Sequence, residues 1–220
     1  MVASETGKLG IISRARESVT PTRVRYSDVR KALKAHLSDN TRPRGILAAA
    51  RDRFEQRSED RSLGPFARED ARLSLDVLDS FDRMQNKLGG IAFRPSPLRQ
   101  PPLILSGIEV AVTVDVLVTR SSRGADQIGG ALFRFTKADD ETDGATSKRR
   151  DMGLYAATLV HMQVGQNLAG NHTPSFQLCM AIDVQAEDIH YAPRSFAQRA
   201  ENLENACLFI RRMWNADDAS

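Results

Sequence analysis

The chain has 220 residues, of which 41% are hydrophobic and 27% are charged, and its formal net charge is +3 at pH 7. This length and composition are typical of a globular protein with one large domain. No stretch approaches the roughly 18 continuous apolar residues of a membrane span, and the first 20 residues lack a signal-peptide core. The sequence therefore predicts a cytoplasmic protein with no membrane partner.

The cysteine and histidine patterns argue against a metal or redox site. Cys179 and Cys207 both lie in apolar runs without CxxC spacing, which predicts two reduced, buried thiols. The four histidines show no HExxH or HxH spacing, so a zinc site is not expected. The chain also lacks the glycine-rich motifs that cradle phosphates and the GxSxG motif of hydrolases.

Positive charge is concentrated in the N-terminal third. Residues 1–66 carry 14 Lys and Arg against 8 Asp and Glu, a net charge of +6, so the remainder carries −3. Arginine supplies 25 of the 31 cations; its planar fork suits phosphate, and a GC-rich bacterial genome also favours it. This region is either a solvated helical face or a surface for nucleic acid or an acidic partner. The candidate nucleic-acid-binding residues are Arg23, Arg25, Arg30, Lys31, Arg42, Arg44, Arg51 and Arg53.

The first predicted elements in chain order are helical. Apolar residues recur at helical spacing over 27–37, 45–57 and 68–90, which predicts three amphipathic helices. Residues before them show no periodicity. The predicted organisation has four parts: a disordered basic tail at 1–24, a basic helical region at 25–66, an α/β core domain at 67–216 and a tail at 217–220.

After residue 90 the period changes to two. Residues 91–94 predict a short strand, and the proline-rich segment that follows cannot join a central ladder. The SSRGADQIGG segment predicts a turn or loop before a strand at 131–137. One strictly alternating run predicts a strand with a buried face made of Ile108, Val110, Val112, Val114, Val116 and Val118.

The last third of the chain predicts a helix, a strand and a final helix. Residues 137–150 are highly charged and predict an exposed loop, 151–169 a helix, 175–184 a strand, and 196–214 a C-terminal helix. The element order predicts an α+β fold. Its mixed sheet consists of an antiparallel meander plus a crossover strand, flanked by helices and preceded by an N-terminal helical region.

A helix, a three-strand meander, a helix and a strand follow one another over residues 68–192. This order resembles the core of the PD-(D/E)XK, or restriction-endonuclease-like, superfamily. That family holds a divalent metal with an Asp on its second core strand and an acid-x-Lys triplet on its third. The resemblance implies that Asp115 is the first acid and Lys137 the lysine, with Tyr155 and Gln163 as polar residues of the following helix.

The active-site motif departs from the family pattern. The triplet reads Phe135-Thr136-Lys137, so a phenylalanine replaces the second acid, and Val114 stands where the family has a proline. One carboxylate is a poor magnesium site, because magnesium is usually bound by more than one hard oxygen ligand.

Candidate metal ligands are Asp115 together with Glu109 or Glu69, either of which would have to supply the missing acid. The alternative for Asp115 is a solvent-facing strand residue or one paired with Arg134 across the sheet, and for Lys137 a solvated loop residue. A buried, unpaired aspartate would be costly, so a partner or water near Asp115 is expected.

These observations predict a degenerate nuclease-like protein that binds nucleic acid or a nucleoprotein partner without cutting it, and that has no cofactor. The alternative is a protein–protein interaction module or homo-oligomeric structural module with no ligand chemistry. An active metal-dependent nuclease, which would require a divalent metal, is a third reading. N-terminal cations that converge beside Asp115 and Lys137 would favour the nucleic-acid-binding protein, and scattered cations would favour the interaction module.

Overall fold

The structure is a computed structural model that describes residues 7, 10–12, 15, 24–122, 125–137 and 142–216. The described residues before position 24 are helical. The rest of the predicted disordered tail at 1–24, and the tail at 217–220, lie outside the described residues. From residue 24 onward, the α-helices are α1 (Ser27–Ser38), α2 (Arg44–Glu59), α3 (Pro65–Met84), α4 (Asp143–Gln163) and α5 (Phe196–Ala216).

The three predicted N-terminal helices are confirmed. In α1, residues Val29, Leu33 and Leu37 recur every four positions and are all buried. Helix α3 begins at Pro65. An N–H at this position has no acceptor within the helix, so a proline there loses no hydrogen bond. A 3₁₀ turn, Gln85–Leu88, extends α3, and a π-helical turn, Val164–Leu168, extends α4.

A five-stranded mixed sheet forms the centre of the fold. Its order is β1-β4-β5-β6-β7, in which β5 and β6 are parallel and the other neighbours antiparallel, and β2 and β3 form a separate hairpin. Helix α4 makes the crossover between the parallel strands, so the predicted α+β fold is confirmed. The strands are β1 (Phe93–Pro95), β2 (Leu103–Leu105), β3 (Ile108–Val110), β4 (Val116–Ser122), β5 (Ala125–Arg134), β6 (Thr173–Asp183) and β7 (Asp188–Tyr191).

Two predicted loops are wrong. Most of the SSRGADQIGG segment is strand, because β4 runs to Ser122 and β5 begins at Ala125. Ile128 is buried there, and the glycines fit beside β6. A Cβ at Gly129 would lie only 2.2 Å from the Leu178 carbonyl oxygen, so glycine is required for this close approach. The charged loop is shorter than predicted, because α4 begins at 143 with the Thr142 hydroxyl accepting from the Ala145 N–H (3.2 Å).

Both faces of the sheet are covered. The larger core cluster joins α1, α2 and α3 to one face, and a second cluster joins α4 to the other. A third, smaller cluster joins the β2–β3 hairpin to α4 and α5. Helices α1 and α2 therefore share a hydrophobic core with the sheet, to which Leu33 and Phe54 contribute fully buried side chains.

In the predicted valine run at 108–118, Val112, Val114, Val116 and Val118 are buried and Ile108 and Val110 are partly buried, but the run is not one continuous strand. Residues 111–115 leave the ladder between β3 and β4. Val116 packs in the cluster beneath α1–α3, whereas Val114, two positions earlier, packs against α4. In a regular strand, residues two positions apart lie on the same face of the sheet. Val114 and Val116 lie on opposite faces, so the strand is interrupted between them.

The C-terminal helix packs less completely than its sequence predicts. The helical spacing of Leu203, Cys207, Ile210 and Trp214 predicts that all four face inward; Cys207 is buried, but Ile210 and Trp214 keep 38% and 43% of their surface exposed. Cys179 and Cys207 are both free and buried, as predicted. No helix in the described part of the chain is long and apolar enough to cross a membrane.

Candidate site at the Asp115 end of the sheet

Strands β1, β4, β5 and β6 begin or end at one end of the sheet, and several polar residues lie there. Val116, at the start of β4, pairs with Pro95 at the end of β1 and with Ala131 near the end of β5. Arg134, the last residue of β5, pairs with Asp183, the last residue of β6. Asp115, Asp183 and the segment after β5 therefore lie at the same end, which we call the Asp115 end.

Asp115 is fully buried at this end and is held by two cations from α1. Its carboxylate Oδ2 accepts a hydrogen bond from the Arg30 guanidinium and another from the Phe133 N–H (2.8 Å). Arg30 also donates to the Phe133 carbonyl (3.1 Å), and its guanidinium lies 4.9 Å from the ring centre of Phe135. The Lys34 ammonium lies 3.9 Å from Oδ1, which has no hydrogen-bond donor among the described residues.

The backbone around Asp115 explains why this residue leaves the strand. The Gln100 amide accepts from the Val114 N–H (3.0 Å) and donates to its carbonyl (2.8 Å), taking the place of a strand partner. The Ser96 hydroxyl donates to the Asp115 carbonyl (2.9 Å). The Asp115 N–H still donates to the Ala131 carbonyl on β5 (2.8 Å), and the Asp115 carboxylate then accepts from the Phe133 N–H, so its side chain takes the place of the next backbone acceptor.

The predicted alternatives for Asp115 were both wrong. Asp115 is neither solvent-facing nor paired with Arg134; its partner is Arg30, 85 positions away in sequence. The expectation that a buried carboxylate needs a close partner is confirmed. Strand alternation alone cannot identify that partner, because α1 reaches Asp115 only through the packing of Val29 and Leu33 on the sheet.

A second buried aspartate lies at the same end and was missed by the sequence analysis. Asp183 is fully buried and accepts two hydrogen bonds from the Arg149 guanidinium, at 2.8 and 2.5 Å. Arg134 forms an ion pair with the same carboxylate at 3.1 Å. Arg149 also donates to the Thr136 carbonyl (2.5 Å), which ties α4 to the segment after β5. A charged residue directly after the apolar run at 178–182 was the available signal.

The remaining metal candidates do not join Asp115. Glu69 lies on α3 and pairs with Arg72 (2.7 Å), which lowers the pKa of its carboxyl group. Glu109 is exposed on β3, in the separate hairpin, and Lys137 is exposed after β5. Within the described ranges, no three His, Cys, Asp or Glu side chains are close enough together to hold a metal ion.

The N-terminal cations that the structure describes do not converge on one groove. Arg42 donates to the carbonyls of Leu88 (3.0 Å) and Ile91 (2.6 Å), where it holds the chain before β1. Arg51 pairs with Asp79 (2.7 Å) and Asp82 (3.1 Å) on α3. Arg30, in contrast, lies at the Asp115 end.

The other candidate cations are on the surface. Lys31 is 3.5 Å from Asp28, Arg25 lies over the ring of Phe66, and Arg44 and Arg53 are exposed on α2. Arg23 lies outside the described residues.

Charge at the Asp115 end is unbalanced. Among the described side chains, Arg30 and Lys34 contact the buried Asp115, Arg134 and Arg149 contact the buried Asp183, and Lys137 is exposed after β5; the exposed Asp188, which pairs with Asp183 across β6 and β7, also lies at this end. Guanidinium and ammonium groups in excess of the carboxylates they neutralise attract phosphate, and they repel divalent cations. This end can therefore bind an anion, whereas its buried carboxylates are already occupied.

Cys179 on β6 and His161 on α4 form a cysteine–histidine pair, but the cysteine is not activated as a nucleophile. The Cys179 sulfur lies 3.8 Å from His161 Nδ1. Burial raises the pKa of the Cys179 thiol to about 12 and lowers that of His161. The thiolate is the reactive form, so this cysteine is a core residue.

The two polar residues of α4 that the resemblance implied do not contact Asp115. Tyr155 accepts a hydrogen bond from the Asn202 amide (3.0 Å), which joins α4 to α5. Gln163 is buried and donates to the Pro101 carbonyl (2.8 Å). Both residues connect neighbouring elements of the fold.

Comparisons with known proteins identify no relative. No protein-family model matches the chain, and neither the curated proteins nor the solved structures give a match.

Proposed function

We propose that this chain is a degenerate nuclease-like protein that binds nucleic acid, free or within a nucleoprotein, at the Asp115 end of its sheet and does not cut it. The observation that carries the proposal is the pairing of Asp115 with Arg30. The Arg30 guanidinium forms an ion pair with the carboxylate that would have to bind a catalytic metal.

The element order supports the nuclease-like part of the proposal. Helix α3, the meander β1-β4-β5, helix α4 and strand β6 follow one another in the order on which the PD-(D/E)XK resemblance rests. Asp115 precedes β4 and Lys137 follows β5, at the same end of the sheet. The acid that the family places two residues before its lysine is here Phe135, which is buried.

The charge of the Asp115 end supports the binding part. Lys34 is one-quarter exposed and Lys137 is exposed, so both can approach a phosphate while Arg30 neutralises Asp115. Phosphate contacts of this kind give affinity without sequence preference. Catalysis is not expected, because a metal would have to displace two cations that repel it.

The interaction-module alternative gains from one observation. Arg42 and Arg51 are engaged within the protein, so the described N-terminal cations do not form a single basic groove. If this alternative holds, the chain will bind no nucleic acid; if it is the homo-oligomeric module, its mass in solution, measured by light scattering, will also exceed that of a monomer.

The proposal is tested by fluorescence anisotropy with a labelled 20-base-pair duplex across a salt series. Affinity should fall steeply with salt, because bound phosphates release counterions. Lys34→Ala and Lys137→Ala should each weaken binding and reduce the salt slope by about one. Absence of binding at low salt would reject the proposal.

Arg120→Ala is the matched control. Arg120 is exposed near the opposite end of β4 and carries the same charge, so its removal should change affinity little. Point variants are required, because deletion of α1 and α2 would remove core residues such as Leu33 and Phe54.

A further inference from the structure

The loop between β1 and β2 presents one leucine to solvent. Leu98 is 99% exposed and is the most exposed large hydrophobic side chain among the described residues. It follows Pro97 and precedes Arg99, in a segment whose other prolines are Pro95, Pro101 and Pro102. Proline fixes the backbone φ angle, so this loop has few conformations to choose from.

Hydrogen bonds hold the loop at its base. The Gln100 amide, which already pairs with Val114, also donates to the Pro97 carbonyl (3.1 Å) and so closes the loop around Leu98 and Arg99. Ser96 donates to the Asp115 carbonyl. A loop anchored in this way displays its apolar tip in a fixed position, which lowers the entropy lost on binding.

The loop is basic and adjoins the Asp115 end. Arg94, on the neighbouring strand β1, and Arg99, in the loop, are both exposed, and in the described part of the chain neither guanidinium has a hydrogen bond or an ion pair. No Asp or Glu occurs between Asp82 and Glu109 in the sequence. The hydrogen bond from Ser96 to Asp115 makes the loop and the Arg30–Lys34 cluster neighbours.

We propose that Leu98 is a wedge that enters the minor groove of duplex DNA and separates two stacked base pairs, while Arg94 and Arg99 contact the flanking phosphates. The proposal rests on the proposed nucleic-acid-binding function and adds the form of nucleic acid and its distortion. Minor-groove proteins insert apolar side chains, leucine and proline among them, between base steps and kink the duplex.

Charge favours nucleic acid over a protein pocket as the occupant. A protein pocket for Leu98 would need an acidic rim for Arg94 and Arg99, and it would have to tolerate the cations of the Asp115 end, among them the exposed Lys137. A duplex offers a continuous row of phosphates to these cations and an intercalation site for the leucine.

The test uses the full chain and a 20-base-pair duplex with 2-aminopurine at a central TA step, a step that unstacks easily. Wild type should raise the 2-aminopurine fluorescence on binding. Leu98→Ala should abolish that rise and weaken binding about tenfold, whereas Leu98→Met should retain both. Ile104→Ala, which shortens a half-exposed isoleucine on β2, is the control and should behave as wild type.

The failures of the two proposals are distinguishable. If wild type binds the duplex without a fluorescence rise, or if Leu98→Ala behaves as wild type, the wedge is overturned and the binding function stands. If wild type does not bind the duplex at low salt, both are overturned. Because Leu98 makes no core contact, thermal unfolding should be unchanged in Leu98→Ala, and the comparison is free of folding effects.

Discussion

Arg30 of helix α1 donates a hydrogen bond to the fully buried carboxylate of Asp115, 85 residues later in the chain. The same guanidinium donates to the Phe133 carbonyl, so one side chain ties α1 both to β5 and to the segment before β4. Breaking a buried ion pair from one side leaves a charge without a partner, which costs more than the pair itself contributes.

The first prediction concerns this pair. Arg30→Ala should lower the free energy of unfolding by about 3 kcal/mol, at the low end of the range for buried pairs, because Lys34 stays near the carboxylate. Asp115→Asn should lower it by about 1 kcal/mol, since the amide oxygen can still accept from Phe133. The double variant should be more stable than Arg30→Ala alone, as measured by urea unfolding. A double variant that is less stable would contradict the assignment of Arg30 as the counter-ion.

The second prediction concerns metal ions. We expect no saturable binding of Mg²⁺ or Mn²⁺ by calorimetry and no metal-dependent cleavage of DNA or RNA, because Arg30 and Lys34 repel a cation at Asp115. The control is Asp115→Asn, which should give the same background. Cleavage by wild type that vanishes in Asp115→Asn would reverse this assignment and establish an active nuclease.

The third prediction concerns pH. Burial lowers the pKa of His36, His161 and His190 below the ordinary value of 6.5. The unfolded chain therefore binds more protons than the folded one as the pH falls through 6.5, and stability decreases until the pH passes below the folded-state pKa values. Each histidine contributes at most about 1.4 kcal/mol per pH unit.

Urea unfolding at pH 7.5 and 5.5 measures this effect, and we expect the protein to be less stable at pH 5.5. His36→Gln should reduce the difference between the two pH values, because one buried imidazole no longer titrates. Equal stability at both pH values would show that the histidines are not buried in neutral form.

The fourth prediction concerns the thiols. Burial raises the pKa of Cys179 to about 12 and also raises that of Cys207. Neither thiol should react with iodoacetamide at pH 7.5 in the folded protein, and both should react in 6 M guanidinium. Mass spectrometry counts the alkylated residues. Rapid modification of Cys179 in the folded protein would indicate a reactive cysteine–histidine pair.

Apolar periodicity predicted most of the fold. Val29, Leu33 and Leu37 fixed α1, and the valine run fixed a buried segment at β4. Periodicity did not predict the break at 111–115, because that break depends on a side chain. The Gln100 amide makes the two backbone hydrogen bonds of Val114 that a neighbouring strand would otherwise make, and no local sequence pattern predicts such a contact.

The candidate site was only half predictable. Asp115 was identifiable as an acid within an apolar strand, but its partners on α1 come from tertiary packing. Asp183 was passed over because its position at the end of β6 matched the alternation, and its arginines lie on β5 and α4. The exposure of Leu98 depends on the hydrogen bonds of Gln100, which the sequence does not reveal.

The most direct test of nucleic-acid binding at the Asp115 end is photo-crosslinking of a 5-iodouracil duplex to the full chain, followed by mass spectrometry of the tryptic peptides. Crosslinks should fall in the loop at 94–100 and in the segment that follows β5 at Lys137, and the duplex should remain uncut. Crosslinks confined to the exposed face of α2 around Arg44 and Arg53, or no crosslinks at low salt, would contradict binding at this end of the sheet.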